Sequence, residues 1–379
     1  MKINLMDPGL VGQAGHHFEW VANIVRQLVA RGHSVHVYSH TALPEAPRNA
    51  LSLLAPVTPI FSAHPFVGPG DARQIDPIAG EYYLYRNLSQ TTARELDQTG
   101  DADLLLWPTV SAYQLNACAL SRRNIPVSCC VHYTPDIGGF KTGAMWWRDA
   151  FLNMRRSKAP LRCGSFVPSL RKHYLPITAD GSFVLFPAPH GARRIEAPRE
   201  ILGTVGFFGA QRPEKGLHIL RGLIARFISD GLRVLAHDSY NGLKVHQPSP
   251  QLSVIGYVPD LVAEISKCDL VVLPYDPSEY KDRGSAIAYD ALAAGIPIIA
   301  PFDTVPGDLV ESSGAGRTFL YFDEESILRA AADCRASYAN VAEAAFRFSS
   351  VWNPANGYGP FVDAMIGEVR RVASAPAVL

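Results

Sequence analysis

Residues 2–39 read KINLMDPGLVGQAGHHFEWVANIVRQLVARGHSVHVYS, and their order decides the fold. Lys2–Met6 is a short strand-like run, after which Gly9, Gly12 and Gly15 break the chain. Phe18–Ala30 then carries apolar residues at helical spacing, Gly32 stops that helix, and Ser34–Ser39 (SVHVYS) resumes as a strand. A strand, a crossover helix and a second strand form a βαβ unit, which requires a parallel sheet covered by helices. Further strand signals at Leu104–Trp107 and Val127–His132 extend the rhythm, so the N-terminal half is predicted to be doubly wound.

The rhythm restarts at Thr204–Phe208 (TVGFF), with a helix expected over Gly216–Ile228 and strands at Arg233–Ala236, Ser253–Ile255, Asp269–Leu273 and Ile296–Ala300. Between the halves, Phe186–Arg199 (FPAPHGARRIEAPR) is rich in Pro and lacks apolar periodicity, which reads as a linker with the boundary near residue 195. The expected organisation is an N-terminal domain over 1–195, a C-terminal domain over 196–350, and a helical segment from 351 to 379 that packs back on the N-terminal domain. Both domains are α/β and Rossmann-like, and such sheets bind ligands at the carboxyl ends of their strands, so an interdomain cleft is the expected site.

Composition excludes several classes. Of the 379 residues 47% are hydrophobic and 18% charged, enough apolar material for sizeable cores and too few charges for a disordered chain. Thirty-five basic residues balance 35 acidic ones, so no global positive field exists to hold nucleic acid. The six cysteines, at 118, 129, 130, 163, 268 and 334, form no C-x-x-C pair and read as buried thiols of a reducing compartment. The opening residues are too short an apolar run for a signal peptide, and Ala286–Pro301, interrupted by Asp290, falls short of a membrane span. A cytoplasmic protein is expected.

The stretch Tyr275–Pro297 (YDPSEYKDRGSAIAYDALAAGIP) carries the chemistry. Asp282 and Asp290 are eight residues apart, and Gly284 and Ser285 stand where a helix running through Ala294 would begin. Free amides and the positive end of the helix dipole suit a phosphate there, with one acid before the helix for sugar hydroxyls and one on it for a ribose. The same spacing also serves a plain cap at Asp282 or Ser285 with Asp290 as a surface acid.

This stretch resembles the E-x7-E element of retaining glycosyltransferases of the GT-B fold, particularly glycosyltransferase family 4. Asp282 and Asp290 occupy the two glutamate positions, and Ala291, Ala293, Gly295, Ile296 and Pro297 follow the family pattern. The loop before Asp282 is longer than in the family, leaving Glu279 as the alternative first acid. Arg31–Val35 is similar to the family's R-G-H-x-V, and Gly209–Gly216 (GAQRPEKG) to its G-R-x-x-x-E-K-G loop, whose Arg and Lys neutralise the donor diphosphate. Lys215 matches. Ala210 stands where the family has Arg, with Arg212 two residues on in the same loop.

The resemblance also implies roles in the N-terminal half. Gly12 and Gly15 lie in a glycine-rich loop facing donor and acceptor, and His16 and His17 are candidate acceptor contacts that equally suit a helix start. His132, in CCVHYTPD, matches the strand-end histidine that contacts the donor sugar; a lone His after an apolar strand also suits simple packing. Met145–Lys158 (MWWRDAFLNMRRSK) sets Trp146, Trp147, Phe151 and Met154 beside Arg148, Arg155, Arg156 and Lys158, either a contact for an anionic lipid surface or a domain-core helix.

The expected activity is retaining transfer of a sugar from a nucleotide-sugar co-substrate to an acceptor hydroxyl of a glycan, glycolipid or lipid-linked oligosaccharide. His132, Asp282 and Lys215 are the expected catalytic residues, with Gly12, Gly15, Gly209, Arg212, Gly284, Ser285 and Asp290 around the donor. No metal and no further cofactor are expected, because Lys215, Arg212 and the helix start supply the positive charge. A sugar-nucleotide epimerase or hydrolase of the same fold, and a non-catalytic sugar-nucleotide-binding subunit, are the alternatives.

Overall fold

The computed structural model describes residues 1–13, 16–65, 77–136, 142–178, 181–239, 241–243, 249–256, 258 and 260–367, with backbone only at residues 16, 77 and 78. Gly15, the side chain of His16 and the stretch from 368 onward therefore lie outside the described residues. The chain divides into two units, Met1–Pro187 together with the stretch from Tyr358, and Ala188–Gly357.

The first unit contains strands β1 (Lys2–Asp7), β2 (Ser34–His40), β3 (Val57–Phe61), β4 (Leu104–Trp107), β5 (Val127–Cys130), β6 (Leu161–Ser165) and β7 (Val184–Leu185). They form one parallel sheet in the order β3-β2-β1-β4-β5-β6-β7. Central strands covered on both faces must be apolar throughout, and every residue of β4 (LLLW) and β5 (VSCC) is buried. The helix His16–Ala30 supplies Val21, Ile24, Val25 and Leu28 to one side of this core, as its periodicity predicts.

The second unit repeats the plan with β8 (Thr204–Phe207), β9 (Arg233–His237), β10 (Leu252–Ile255), β11 (Leu270–Val272), β12 (Ile298–Pro301) and β13 (Gly316–Phe319). Their order, β10-β9-β8-β11-β12-β13, is again that of a doubly wound parallel sheet. Apolar clusters cover its two faces, one built on Leu220, Leu223 and Phe227 and the other on Ala288, Ala291 and Leu292.

The division falls at Pro187 and Ala188, not near residue 195. Residues 188–195 fasten to the second unit by polar contacts. The Ile195 amide donates to Ala294 O at 2.9 Å, the Gly191 amide to Asp290 Oδ1 at 3.2 Å, and Arg194 to Phe346 O at 2.9 Å. Such an extended strap shows no apolar periodicity, so its sequence looks like a linker. The helix Tyr358–Gly367 belongs to the first unit, where Phe361, Val362 and Met365 are fully buried. Arg31 holds Asp363 through a two-pronged pair at 2.6 and 2.8 Å.

Candidate active site

In the second unit, β8 ends at a loop that returns through a short 3-10 turn, Pro213–Lys215, into the helix Leu217–Ser229. Gly209 has φ +94, a left-handed conformation that glycine adopts without strain, and a Cβ there would lie 2.8 Å from Lys215 Nζ. Lys215 thus folds its ammonium against the bare backbone, with the Tyr275 ring centroid 5.3 Å away. Burial, then the positive charges of Arg212 and Arg283, push its pKa down to about 7, with Glu214 opposing. The side chain remains partly exposed, and among the described residues its Nζ forms no ion pair, whereas Arg212 is paired to Glu214 at 2.9 Å.

Arg283, between Asp282 and Gly284, carries no motif signal of its own in the sequence. Its guanidinium lies 5.0 Å from the Tyr280 ring centroid, and its charge acts on Lys215. Asp282 lies in the turn before the helix Ala286–Ala294, and Gly284 immediately precedes that helix's cap. Ser285 is the cap: its Oγ accepts the Ala288 amide at 3.3 Å and lies 3.3 Å from Tyr275 Oη. Asp290 accepts the Gly191 amide, and burial drives its pKa up to about 7, the Gly191 bond countering and Asp260 adding to the rise. One oxygen of its carboxylate thus faces the strap. Glu279 lines a groove with Pro213, Glu214, His218, Asp276 and Phe322.

Two more residues shape this edge. Gln211 donates from Nε2 to His237 O at 2.8 Å and Gly209 O at 3.3 Å, tying the loop to the end of β9. His237 itself is buried, among the described residues its Nδ1 has no hydrogen-bond partner, and burial lowers its pKa. The sequence reading stopped that strand at Ala236 and so passed over the next residue.

In the first unit, the carboxyl edge of the sheet collects imidazoles. His40 ends β2, His64 follows β3 and His132 follows β5. His132 Nε2 donates to Pro108 O at 2.8 Å, so in the neutral ring Nδ1 is the acceptor. Burial pushes its pKa down to about 4, and Trp20 and Phe166 meet it edge to face at 4.6 and 5.1 Å. His17 Nδ1 lies 2.9 and 3.0 Å from the two carboxylate oxygens of Asp7, at the end of β1. Among the described residues, a Cβ on Gly12 would meet nothing within 4 Å. Among the described residues no group of three or more His, Cys, Asp or Glu is arranged to hold a metal ion.

The helix Gly143–Ser157 corrects one expectation. Trp146, Trp147, Phe151 and Met154, the face offered to a lipid surface, are buried in the first unit. The outer face carries Met145 and Leu152, 48% and 38% exposed, with Arg148, Arg155, Arg156 and Lys158 also exposed. Among the described residues no helix is long and apolar enough to cross a membrane.

Two doubly wound parallel sheets, each with its candidate residues at the carboxyl edge, make an α/β chain with the fold of the GT-B glycosyltransferases. No family model matches the chain. It is 28% identical over 141 residues to a GDP-mannose:glycolipid 4-beta-D-mannosyltransferase of Xanthomonas campestris pv. campestris, a match covering 34% of this chain and 39% of that protein. Among solved structures it is similar to a sucrose-phosphate synthase from Thermosynechococcus elongatus, with TM-score 0.66, 13% identity, and 99% of this chain and 100% of the other covered. It is also similar to Anabaena HepE in complex with UDP, with TM-score 0.64, 15% identity, and 99% and 100% covered. At these identities the structural likeness is one of fold.

Proposed function

We propose that this protein is a glycosyltransferase that moves a sugar from a nucleotide-sugar donor to an acceptor hydroxyl. The observation that carries this reading is the cationic group at the end of β8. Lys215 lies half-buried beside Arg212 and Arg283, with Glu214 as the opposing charge acting on it. Such a group suits an anion that gains charge as it departs, and a leaving nucleoside diphosphate is that anion. The first amides of helix Ala286–Ala294 add donors beside Ser285. These groups supply the positive charge without a metal or further cofactor. Asp282 serves the donor sugar, and in the first unit His132 presents Nδ1 as an acceptor for a sugar hydroxyl.

The Xanthomonas relative names GDP-mannose and a glycolipid, so these are the first donor and acceptor class to test. A lipid-linked acceptor fits peripheral contact with an anionic membrane surface on its cytoplasmic side, made by the outer cations of helix Gly143–Ser157. Retention of configuration rests on the family 4 resemblance of Asp282–Pro297.

The test is a thermal-shift screen of GDP-mannose against UDP-, ADP-, dTDP- and CMP-sugars, because a ligand bound to the native state raises the melting temperature. One nucleotide should raise it in the native protein and not in Lys215→Ala. An equal shift in the variant would remove Lys215 from the diphosphate site, and conversion of the donor without acceptor would turn the reading to a hydrolase or epimerase.

A further inference from the structure

Two tyrosine rings stand beside the cations of the second unit. Tyr275 follows β11 and Tyr280 closes the short helix Pro277–Tyr280. They are 1% and 2% exposed, and their rings stack with centroids 4.1 Å apart. Each ring carries a cation: Lys215 Nζ lies 5.3 Å from the centroid of Tyr275, and the Arg283 guanidinium 5.0 Å from that of Tyr280. The stack is fixed to the backbone around it. Tyr275 Oη lies 3.3 Å from Oγ of Ser285, the cap of helix Ala286–Ala294. The Asp276 amide donates to Glu214 O at 2.9 Å, which joins the loop after β11 to the loop after β8. Gly216 closes that junction, since a Cβ there would overlap Pro274 O.

Two cations held near each other in a half-buried site repel, and a fold tolerates this where a ligand relieves it. Burial, then Arg212, then Arg283 lower the pKa of Lys215, while Glu214 opposes them. The two arginines are not equivalent. Arg212 is exposed, and its Nε lies 2.9 Å from Glu214 Oε1, so a carboxylate of its own loop answers its charge. Arg283 stands over a buried ring, whose electron-rich face attracts a cation and brings no negative charge to cancel it. An aromatic wall of this kind orients cations and leaves their charge for an anion.

We propose that the stacked Tyr275 and Tyr280 are positioning residues that hold Lys215 and Arg283 for the donor diphosphate, with Arg283 rather than Arg212 as its second cation. This rests on the glycosyltransferase reading and lies wholly within the second unit. Tyr275 acts through Lys215, and Tyr280 through Arg283. The charged and titratable groups around Lys215 are Arg212 and Glu214 of its own loop, Tyr275 after β11, Arg283 before helix Ala286–Ala294 and His237 at the end of β9.

The experiment is titration calorimetry of the full chain with GDP, or with the nucleoside diphosphate of whichever donor raises the melting temperature. Arg283→Gln should weaken binding about tenfold or more, through loss of a charged hydrogen bond to phosphate, and by more than Arg212→Gln does. Removing a like charge keeps Lys215 protonated to higher pH, so in Arg283→Gln the alkaline loss of affinity should begin at higher pH than in the native chain. Tyr280→Leu should weaken binding about fivefold, and Tyr280→Phe, which keeps the ring, should recover most of that loss. Tyr275→Leu and Tyr275→Phe should differ in the same way. In the Arg283→Gln background Tyr280→Leu should cost nothing further, whereas a defect of folding would weaken binding in either background. Arg283→Gln and Arg212→Gln alter partly exposed side chains and decide the matter even if the buried leucine variants fail to fold. Native affinity in Arg283→Gln, a larger loss in Arg212→Gln, or equal losses from Tyr280→Leu with and without Arg283 would overturn the proposal while leaving donor binding standing. If no nucleoside diphosphate binds at all, the glycosyltransferase reading falls and takes this inference with it.

Discussion

Lys215 is the residue on which the proposed donor site turns. With a pKa pushed down to about 7, it is half-charged near neutrality in the free protein. A bound diphosphate stabilises the ammonium and raises that pKa, so binding takes up a proton above pH 7. Nucleoside diphosphate affinity should therefore fall as pH rises from 7 to 9, by up to about tenfold per pH unit, and stay level below pH 6. Titration calorimetry with GDP at several pH values checks this. Lys215→Arg, always charged, should flatten the profile. Lys215 and Gly209 stood out in GAQRPEKG through its resemblance to the family's G-R-x-x-x-E-K-G loop. Arg283 and the Asp7–His17 pair were not, since the first acts across a fold and the second joins residues ten apart through a loop.

At the scale of elements, periodicity located helices well and misjudged what their faces meet. Helix Gly143–Ser157 shows its aromatic stripe in sequence, but a stripe does not say whether protein or membrane covers it, and neighbouring helices do, Trp146 stacking on Tyr85 and Trp147 meeting Tyr174 edge to face. The outer cations follow instead the spacing 148, 155, 156, with Met145 and Leu152 between. Changing Arg148, Arg155 and Arg156 together to Glu should leave the melting temperature within a few degrees, because exposed charges contribute little to stability. The same change should abolish sedimentation with vesicles containing phosphatidylglycerol, each cation being worth about 1 kcal/mol near such a surface. Unaltered vesicle binding would reject this face as the contact. Strands such as β6 (LRCGS) and β13 (GRTF) stayed hidden because Arg and Gly interrupt their apolar runs. Parallel pairing with β5 and β12 overrides that weak local preference.

At the scale of the whole molecule, the chain builds two separate cores, and its last described helix returns to the first of them. The two-halves rhythm was legible because each half restarts with an apolar strand, a glycine-bearing loop and an amphipathic helix. The strap over residues 188–195 was not, since backbone hydrogen bonds leave no mark on side-chain pattern. Phe361 is fully buried among the Trp20, Phe166 and Phe186 rings of the first core, at 6.1, 6.4 and 6.0 Å. Truncating it leaves a cavity where the helix seals the sheet, so Phe361→Ala should cost the first unit about 3–5 kcal/mol. For a unit of this size that lowers its melting temperature by roughly 10 °C. Calorimetry should resolve two transitions, one lowered by Phe361→Ala and the other raised by the bound nucleotide, because each perturbation reaches one core. If the substitution and the nucleotide both moved a single shared transition, the two cores would be one cooperative unit, and the returning helix would stabilise the second unit as strongly as its own.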